Sequence, residues 1–273
     1  MSDHRATLHC PCKGGHFSTF FAYNRPPKGE IRFRFSATES YYRELQKCQF
    51  CGHFISVHKM DMSQLYSEDY VSSNYGESGL LASFNRINAL PVEKSDNVGR
   101  VNRIIQYAAQ YFPREKDQGQ RRTVLDVGSG LCVFLYRMKA AGWDCTAIDP
   151  DERAAKHAHE VVGVNVVCGD FMSAEIPGQF DLITFNKVLE HVEDPVLMLQ
   201  KSHSHLAADG FVYVEVPDGE CAAVAGKERE EFFIDHHHVF SLTSLTLLAE
   251  RAGFVLQLAE RLQEPSTKYT LRA

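Results

Sequence analysis

The chain has 273 residues, 44% of them apolar and 23% charged, with a formal net charge of −6. This is an ordinary soluble composition with room for one large domain, or one domain and a small appendage. It excludes a membrane span, because no apolar run approaches the roughly 20 residues needed, and the acidic balance argues against a nucleic-acid polyanion as partner. The polar start, Met1 to His9, lacks the apolar stretch of a secretory signal. A cytoplasmic location is therefore expected, where the eight cysteines stay reduced.

Four of those cysteines fall in residues 1–60, as Cys10/Cys12 and Cys48/Cys51. Phe17–Tyr23 and Ile31–Phe35 read as strands, separated by the turn Arg25-Pro26-Pro27-Lys28-Gly29. A module this small buries little core and needs a staple, and a reducing compartment favours a metal over a disulfide. A structural zinc held by Cys10, Cys12, Cys48 and Cys51 is expected, since thiolates suit zinc and four protein ligands leave no catalytic position open. Cys10-Pro11-Cys12 is one residue tighter than a usual knuckle, so His9 or His16 stays open as a replacement for one thiolate. Buried thiols without metal are the plain alternative.

Residues 61–120 read as a connector. Tyr66, Tyr70 and Tyr75 lie in a polar stretch, where they either pack at the solvent edge or cap a substrate pocket; Tyr70 and Tyr75 are the substrate candidates. Asn97–Phe112 is amphipathic, with Val98, Val101, Ile104, Ile105 and Ala108 on one side. Pro113 and a charged run end it.

From residue 121 to 273 strands and helices alternate. Thr123–Val127 is a short apolar run of the kind buried on both faces of a parallel sheet. Gly128-Ser129-Gly130 turns the chain into a helix over Leu131–Ala141, an arrangement that lets backbone approach a ligand at a helix N-terminus. Further strands are expected at Trp143–Ile148, Val164–Cys168, Phe180–Asn186, Phe211–Val216, Phe254–Ala259 and Lys268–Arg272. Helices are expected from Asp151 to Val161, from Pro195 to about Leu206 behind the cap Asp194, and from Ser241 to Arg251. The sum is an α/β, doubly wound, seven-stranded sheet with ligand positions at the carboxyl ends of its strands.

Several segments agree in order and spacing with the class I S-adenosylmethionine-dependent methyltransferases, which residues 95–273 resemble. Leu125-Asp126-Val127-Gly128-Ser129-Gly130 looks like their first motif, with Cys132 where a third glycine is usual and a slightly tighter space beside the cofactor in consequence. The resemblance implies a Rossmann-like methyltransferase sheet and S-adenosylmethionine as cofactor. It implies binding through Asp126, Gly128, Ser129 and Gly130, with Asp149-Pro150 at the ribose and Asp149 accepting both hydroxyls. Asp170 and Phe171 would meet adenine, and Asn186 would lie beneath the methionine part. Asn186 to Pro195 resembles the ubiquinone-biosynthesis-like branch, and a cysteine-rich start followed by a tyrosine-bearing connector resembles the sugar C-methyltransferases with their zinc-ribbon-like modules.

A hydroxyl or carbon acid must lose a proton before it accepts a methyl group, and histidine suits that at neutral pH. Asp235-His236-His237-His238-Val239-Phe240-Ser241 resembles the family's substrate-facing segment, with His236 aligned to the motif histidine. Three consecutive histidines cannot all face one pocket. His236, His237, His238 and His191 are therefore the catalytic candidates, each with a structural role as its rival. The expected acceptor is a small molecule, a sugar or nucleotide-linked sugar first, O- or C-methylated; a phenolic or quinone-like acceptor comes next. An RNA or protein substrate docked by the ribbon, and a non-catalytic scaffold, are the rival readings.

Overall fold

The structure is a computed structural model that describes residues 8–30, 40–60, 76–112 and 120–273. The expected strand Ile31–Phe35 and the substrate candidates Tyr70 and Tyr75 lie outside the described residues.

The first strands are β1 (Phe17–Tyr23), β2 (Arg43–Cys48) and β3 (Phe54–His58). Helices α1 (Gly76–Asn88) and α2 (Asp96–Tyr111) follow. Ser95 caps α2 by accepting the Val98 N–H, and α2 buries Val98, Val101, Ile104 and Ala108 as its periodicity predicts. The alternating part comprises β4 (Thr123–Val127), α3 (Val133–Ala140), β5 (Asp144–Asp149), α4 (Glu152–His157), β6 (Asn165–Cys168), β7 (Phe180–Asn186) and α5 (Pro195–Lys201). Then come β8 (Leu206–Pro217), α6 (Gly219–Ala225), β9 (His238–Val239), α7 (Leu242–Arg251), β10 (Glu260–Gln263) and β11 (Tyr269–Arg272).

Seven strands form one sheet in the order β10-β11-β8-β7-β4-β5-β6. β4 to β8 are mutually parallel, while β11 runs antiparallel to β8 and β10 to β11. Strand β4 is flanked by β5 and β7, so the chain's direction of winding reverses between β4 and β7. A crevice opens there at their carboxyl ends, beside Val127 and Asn186. One apolar cluster includes Ile104, Phe134, Leu135 and Met138, and a second includes Ile183, Phe185, Leu245 and Leu248.

Two expectations change. Phe254–Ala259 is not a strand; the edge strand is Glu260–Gln263, whose register is set by its hairpin. Glu264 N–H donates to Lys268 O, Thr267 sits at φ 76°, and Glu260 pairs with both Arg103 and Arg272. The apolar alternation of 254–259 instead leaves Val255 80% exposed. The second change concerns β2 and β3, which the composition did not announce.

These two strands belong to a separate antiparallel sheet ordered β1-β2-β3-β9. Its fourth strand comes from the far end of the chain: Phe54 pairs with Val239 and Ile55 with His238. Arg43, wholly buried, donates to Glu30 Oε2 at 3.0 Å and to Phe232 O at 2.7 Å, and Glu30 also accepts the Ile234 N–H. A buried ion pair joined by these bonds therefore clasps the small sheet to residues 232–234.

Candidate active site

At the crevice the glycine turn is shaped by backbone angles that side chains disfavour. Gly128 has φ 67° and Gly130 φ 49°. A Cβ on Gly128 would stand 2.9 Å from Val188 Cγ2, so Val188 closes one side of the turn, whereas Gly130 has only a carbonyl oxygen at 4.0 Å and faces open space. Cys132 is left-handed as well, at φ 57°, and its side chain is fully buried in the apolar cluster with Phe134 and Leu135. The thiol is packed in the core, with the Asp126 and Asp149 carboxylates near enough to act on it.

Asp149 ends β5 and is 8% exposed. Its Oδ2 accepts the Gly130 N–H at 2.8 Å and its Oδ1 the Asp151 N–H at 2.9 Å, which ties the glycine turn to the neighbouring strand. Burial raises its carboxyl above the usual range against those two bonds. Pro150 beside it is exposed.

Asp126 is buried at 2% exposure, and its Oδ1 accepts from Thr184 Oγ1 at 2.6 Å and Asn186 Nδ2 at 2.8 Å. Burial pushes it up to about 6, opposed by those hydrogen bonds. Asp170 is exposed after β6 and accepts the Met172 N–H, while the Phe171 ring is buried against Phe185. Two buried oxygens here, Ser129 Oγ and Asn186 Oδ1, have no hydrogen-bond partner.

Beyond Asn186 lies a polar cluster that sequence reasoning missed. Arg100 from α2 donates through Nε at 2.8 Å to Glu215 Oε2, and the Tyr213 hydroxyl donates to Glu215 Oε1 at 2.6 Å. Burial would raise the Glu215 carboxyl, but the Arg100 charge holds it below its usual value. Lys187, left-handed at φ 62°, donates to Thr270 Oγ1 at 2.6 Å, and burial lowers its amine. Lys187 is adjacent to Asn186 in the motif, and that adjacency was the available signal; Arg100 and Glu215 are joined only by the fold.

The histidine candidates separate clearly. His191 Nδ1 donates to Asp235 O and His236 Nδ1 to Glu231 O, both at 2.8 Å. A carbonyl can only accept, so in each ring Nδ1 is the donor. The rings meet edge to face at 4.9 Å. Donor atoms of Glu190, His191 and His236 lie within 4.8 Å of one another, and Glu190, 1% exposed, keeps Oε2 without a partner. This set offers ligand atoms for a divalent cation. His237 is half-buried and lowered to about 4, chiefly by burial. His238 has no exposed surface and both ring nitrogens are engaged, with His53 Nε2 at 2.9 Å and Glu193 O at 3.2 Å. It has no free nitrogen to offer an acceptor, so the expectation of His238 as a base gives way to a structural part.

In the small sheet Cys10, Cys12, Cys48 and Cys51 converge, with sulfur atoms 3.1 to 3.6 Å apart among the first three. A zinc tetrahedron with bonds of about 2.3 Å spaces its sulfurs about 3.8 Å apart, so the arrangement is close to that needed. Burial raises the Cys48 thiol, but backbone N–H groups of Cys51 and Phe50 pull it down to about 7. His16 packs on Phe50 and His9 is exposed, so neither displaces a thiol from the cluster.

Comparison with known proteins agrees with this geometry. The family profile described as a methyltransferase domain matches residues 96–259. The ubiquinone biosynthesis O-methyltransferase of Pseudomonas paraeruginosa is 32% identical over 118 residues, covering 39% of this chain and 51% of that enzyme. The same enzyme from Bordetella avium is 35% identical over 151 residues, 49% of this chain and 62% of that one. The chain thus spans about half the length of the first of these relatives. Among solved structures, the magnesium protoporphyrin IX methyltransferase of Synechocystis, with bound S-adenosylhomocysteine, aligns with a TM-score of 0.53 at 15% identity, covering 75% of this chain and 98% of that one. The 1,6-didemethyltoxoflavin-N1-methyltransferase of Burkholderia thailandensis aligns with a TM-score of 0.53 at 16% identity, covering 88% and 97%. At such identities the structures speak for the fold alone. The profile spans more than half of the chain, from α2 to beyond α7: the chain belongs to the methyltransferase-domain family, with the class I S-adenosylmethionine-dependent fold.

Proposed function

We propose that the chain methylates a hydroxyl group of a small molecule, using S-adenosylmethionine. What supports this reading is the Asp149-braced glycine turn at the crevice, closed on one side by Val188, and the Glu190, His191 and His236 set on and against the loop that continues from Val188. The cofactor supplies a methyl carbon already activated as part of a sulfonium. The chain's residues fit it: Gly130 leaves its backbone open, Ser129 Oγ and Asn186 Oδ1 are buried oxygens awaiting donors, and Asp149 has acceptor capacity beyond its two backbone bonds. In this reading the turn Gly128-Ser129-Gly130 backs the amino-acid part, and Asp126 holds Asn186 beneath it. Asp149, with Pro150 shaping the turn, takes the ribose hydroxyls, and Asp170 and the Phe171 backbone amide meet adenine. His191 or His236 removes the acceptor's proton, and proximity to the methyl carbon supplies the remaining rate, up to roughly 7–11 kcal/mol when alignment is good.

The ubiquinone biosynthesis O-methyltransferases among the relatives favour a phenolic hydroxyl as acceptor. The four-cysteine module favours a nucleotide-linked sugar. We read the module, residues 1–60, as a structural zinc site, residues 61–120 as connector and substrate cap, and residues 121–273 as the catalytic domain, with residues 238–239 lending a strand to the module. The test is transfer of an isotopically labelled methyl group from S-adenosylmethionine to protocatechuate or to a thymidine-diphosphate-linked deoxysugar, read by mass spectrometry. A product with the label on oxygen is expected; no transfer to either acceptor, or label on carbon, overturns the proposal.

A further inference from the structure

The small sheet is joined to the histidine loop at the point where proton removal is placed above, and one buried residue makes the joint. His53 has no exposed surface. Its Nε2 lies 2.9 Å from His238 Nδ1 and its Nδ1 lies 3.1 Å from Ser244 Oγ. The direction of these bonds is fixed from one end. His238 Nε2 faces the Glu193 carbonyl and must donate to it, so His238 Nδ1 is bare and accepts from His53 Nε2. His53 Nδ1 is then bare in turn and shares the single Ser244 hydroxyl proton with the Ser241 carbonyl, each at 3.1 Å. His238 also donates its backbone N–H to Glu190 O at 3.1 Å. It therefore grips the chain at residues 190 and 193, on both sides of His191. The same joint is braced next door. Ser241, the cap of α7, donates its hydroxyl to Cys51 O, and the Ser56 N–H donates to His237 O at 3.0 Å.

We propose that His53 is a positioning residue for methyl transfer: by fixing the tautomer and orientation of His238 it holds the segment Glu190–Glu193, and with it the His191 ring, in register with His236. The four-cysteine module is on this view the frame of the active-site loop rather than a docking appendage. The inference rests on the proposed function for its catalytic consequence, though not for the joint itself.

The test compares His53→Ala with His53→Gln, whose amide nitrogen can stand where Nε2 donates. Four quantities are read on the full chain: bound zinc by elemental analysis, S-adenosylhomocysteine affinity by calorimetry, kcat and KM with protocatechuate, and His238 by amide exchange and ring 15N shifts. In the wild type the ring should show a protonated Nε2 and a bare Nδ1. His53→Ala should keep its zinc and its S-adenosylhomocysteine affinity, lose about tenfold to a hundredfold in kcat, speed exchange at the His238 amide and erase the single-tautomer signature. His53→Gln should restore most of both. A His53→Ala protein with full kcat and a protected His238 amide overturns the proposal. So does equal loss in both variants, or loss of S-adenosylhomocysteine affinity along with rate, since either marks general damage. If the wild type methylates nothing, the proposed function fails, and the amide-exchange and 15N readouts still decide whether His53 orders the loop.

Discussion

Replacing Asp149 by alanine is the sharpest perturbation of the cofactor site. Two of the carboxylate's roughly four acceptor positions are taken, by the amides of Gly130 and Asp151, which leaves two for the ribose hydroxyls. Hydrogen bonds to a charged group are worth about 1.5–3 kcal/mol each. Losing both should cost about 3 kcal/mol or more, on the order of a hundredfold in affinity, and the freed Gly130 amide should loosen the turn further. Asp149→Asn keeps one acceptor oxygen and should lose about half of that free energy. Titration calorimetry with S-adenosylhomocysteine at neutral pH reads both, with thermal unfolding as the check that each variant is folded. Because burial raises this carboxyl, wild-type affinity should begin to fall at a higher pH than an exposed aspartate would dictate, as protonation removes an acceptor. A folded Asp149→Ala protein that binds within about threefold of the wild type, less than 1 kcal/mol, refutes the assignment.

Other consequences follow from the same geometry. Asp126 is raised to about 6 from 3.8, so its contribution to stability is fully present below about 4 and is lost as pH rises through 6. The shift corresponds to about 3 kcal/mol at most. Asp126→Asn, which can keep the bonds from Thr184 and Asn186, should show a stability advantage over the wild type that grows across that window in urea unfolding, while binding S-adenosylhomocysteine more weakly; a difference independent of pH sinks the reasoning. Gly128→Ala forces a side chain into a left-handed position and against Val188, at a cost of about 1–3 kcal/mol, and Val188→Ala should recover part of the lost cofactor affinity. If the cysteine cluster holds a structural metal, elemental analysis should find one zinc per chain, lost in Cys48→Ser together with thermal stability. Arg43→Ala strands the buried Glu30 carboxylate and should cost about 3–5 kcal/mol; a change near zero would mean that the clasp on residues 232–234 carries no weight.

The strand ends that carry the proposed cofactor site were legible in the sequence because they lie a short distance apart along the chain. Periodicity places β4, β5 and β7, and the residues that close them, Asp149 and Asn186, fall where a parallel sheet brings strand ends together. The cysteine pairs were legible for a similar reason: two tight turns deliver thiols wherever the chain between them runs. What failed was information held in register. The edge strand lies at Glu260–Gln263 because the Glu264–Lys268 turn sets the hairpin, and apolar alternation over Phe254–Ala259 does not encode a turn. The burial of Cys132 among Phe134 and Leu135 is likewise a matter of packing that the motif does not encode.

The surroundings of the candidate histidines were decided by tertiary structure. Among the candidate histidines, what distinguishes them is which partner each ring nitrogen meets: Asp235 O and Glu231 O accept from Nδ1 of His191 and His236, while Glu193 O and His53 occupy both nitrogens of His238. Those partners lie up to 185 residues apart in the chain. Local composition determines which elements form and so where a strand ends. Hydrogen bonds between distant segments depend on how the elements are docked, and only the folded chain specifies that.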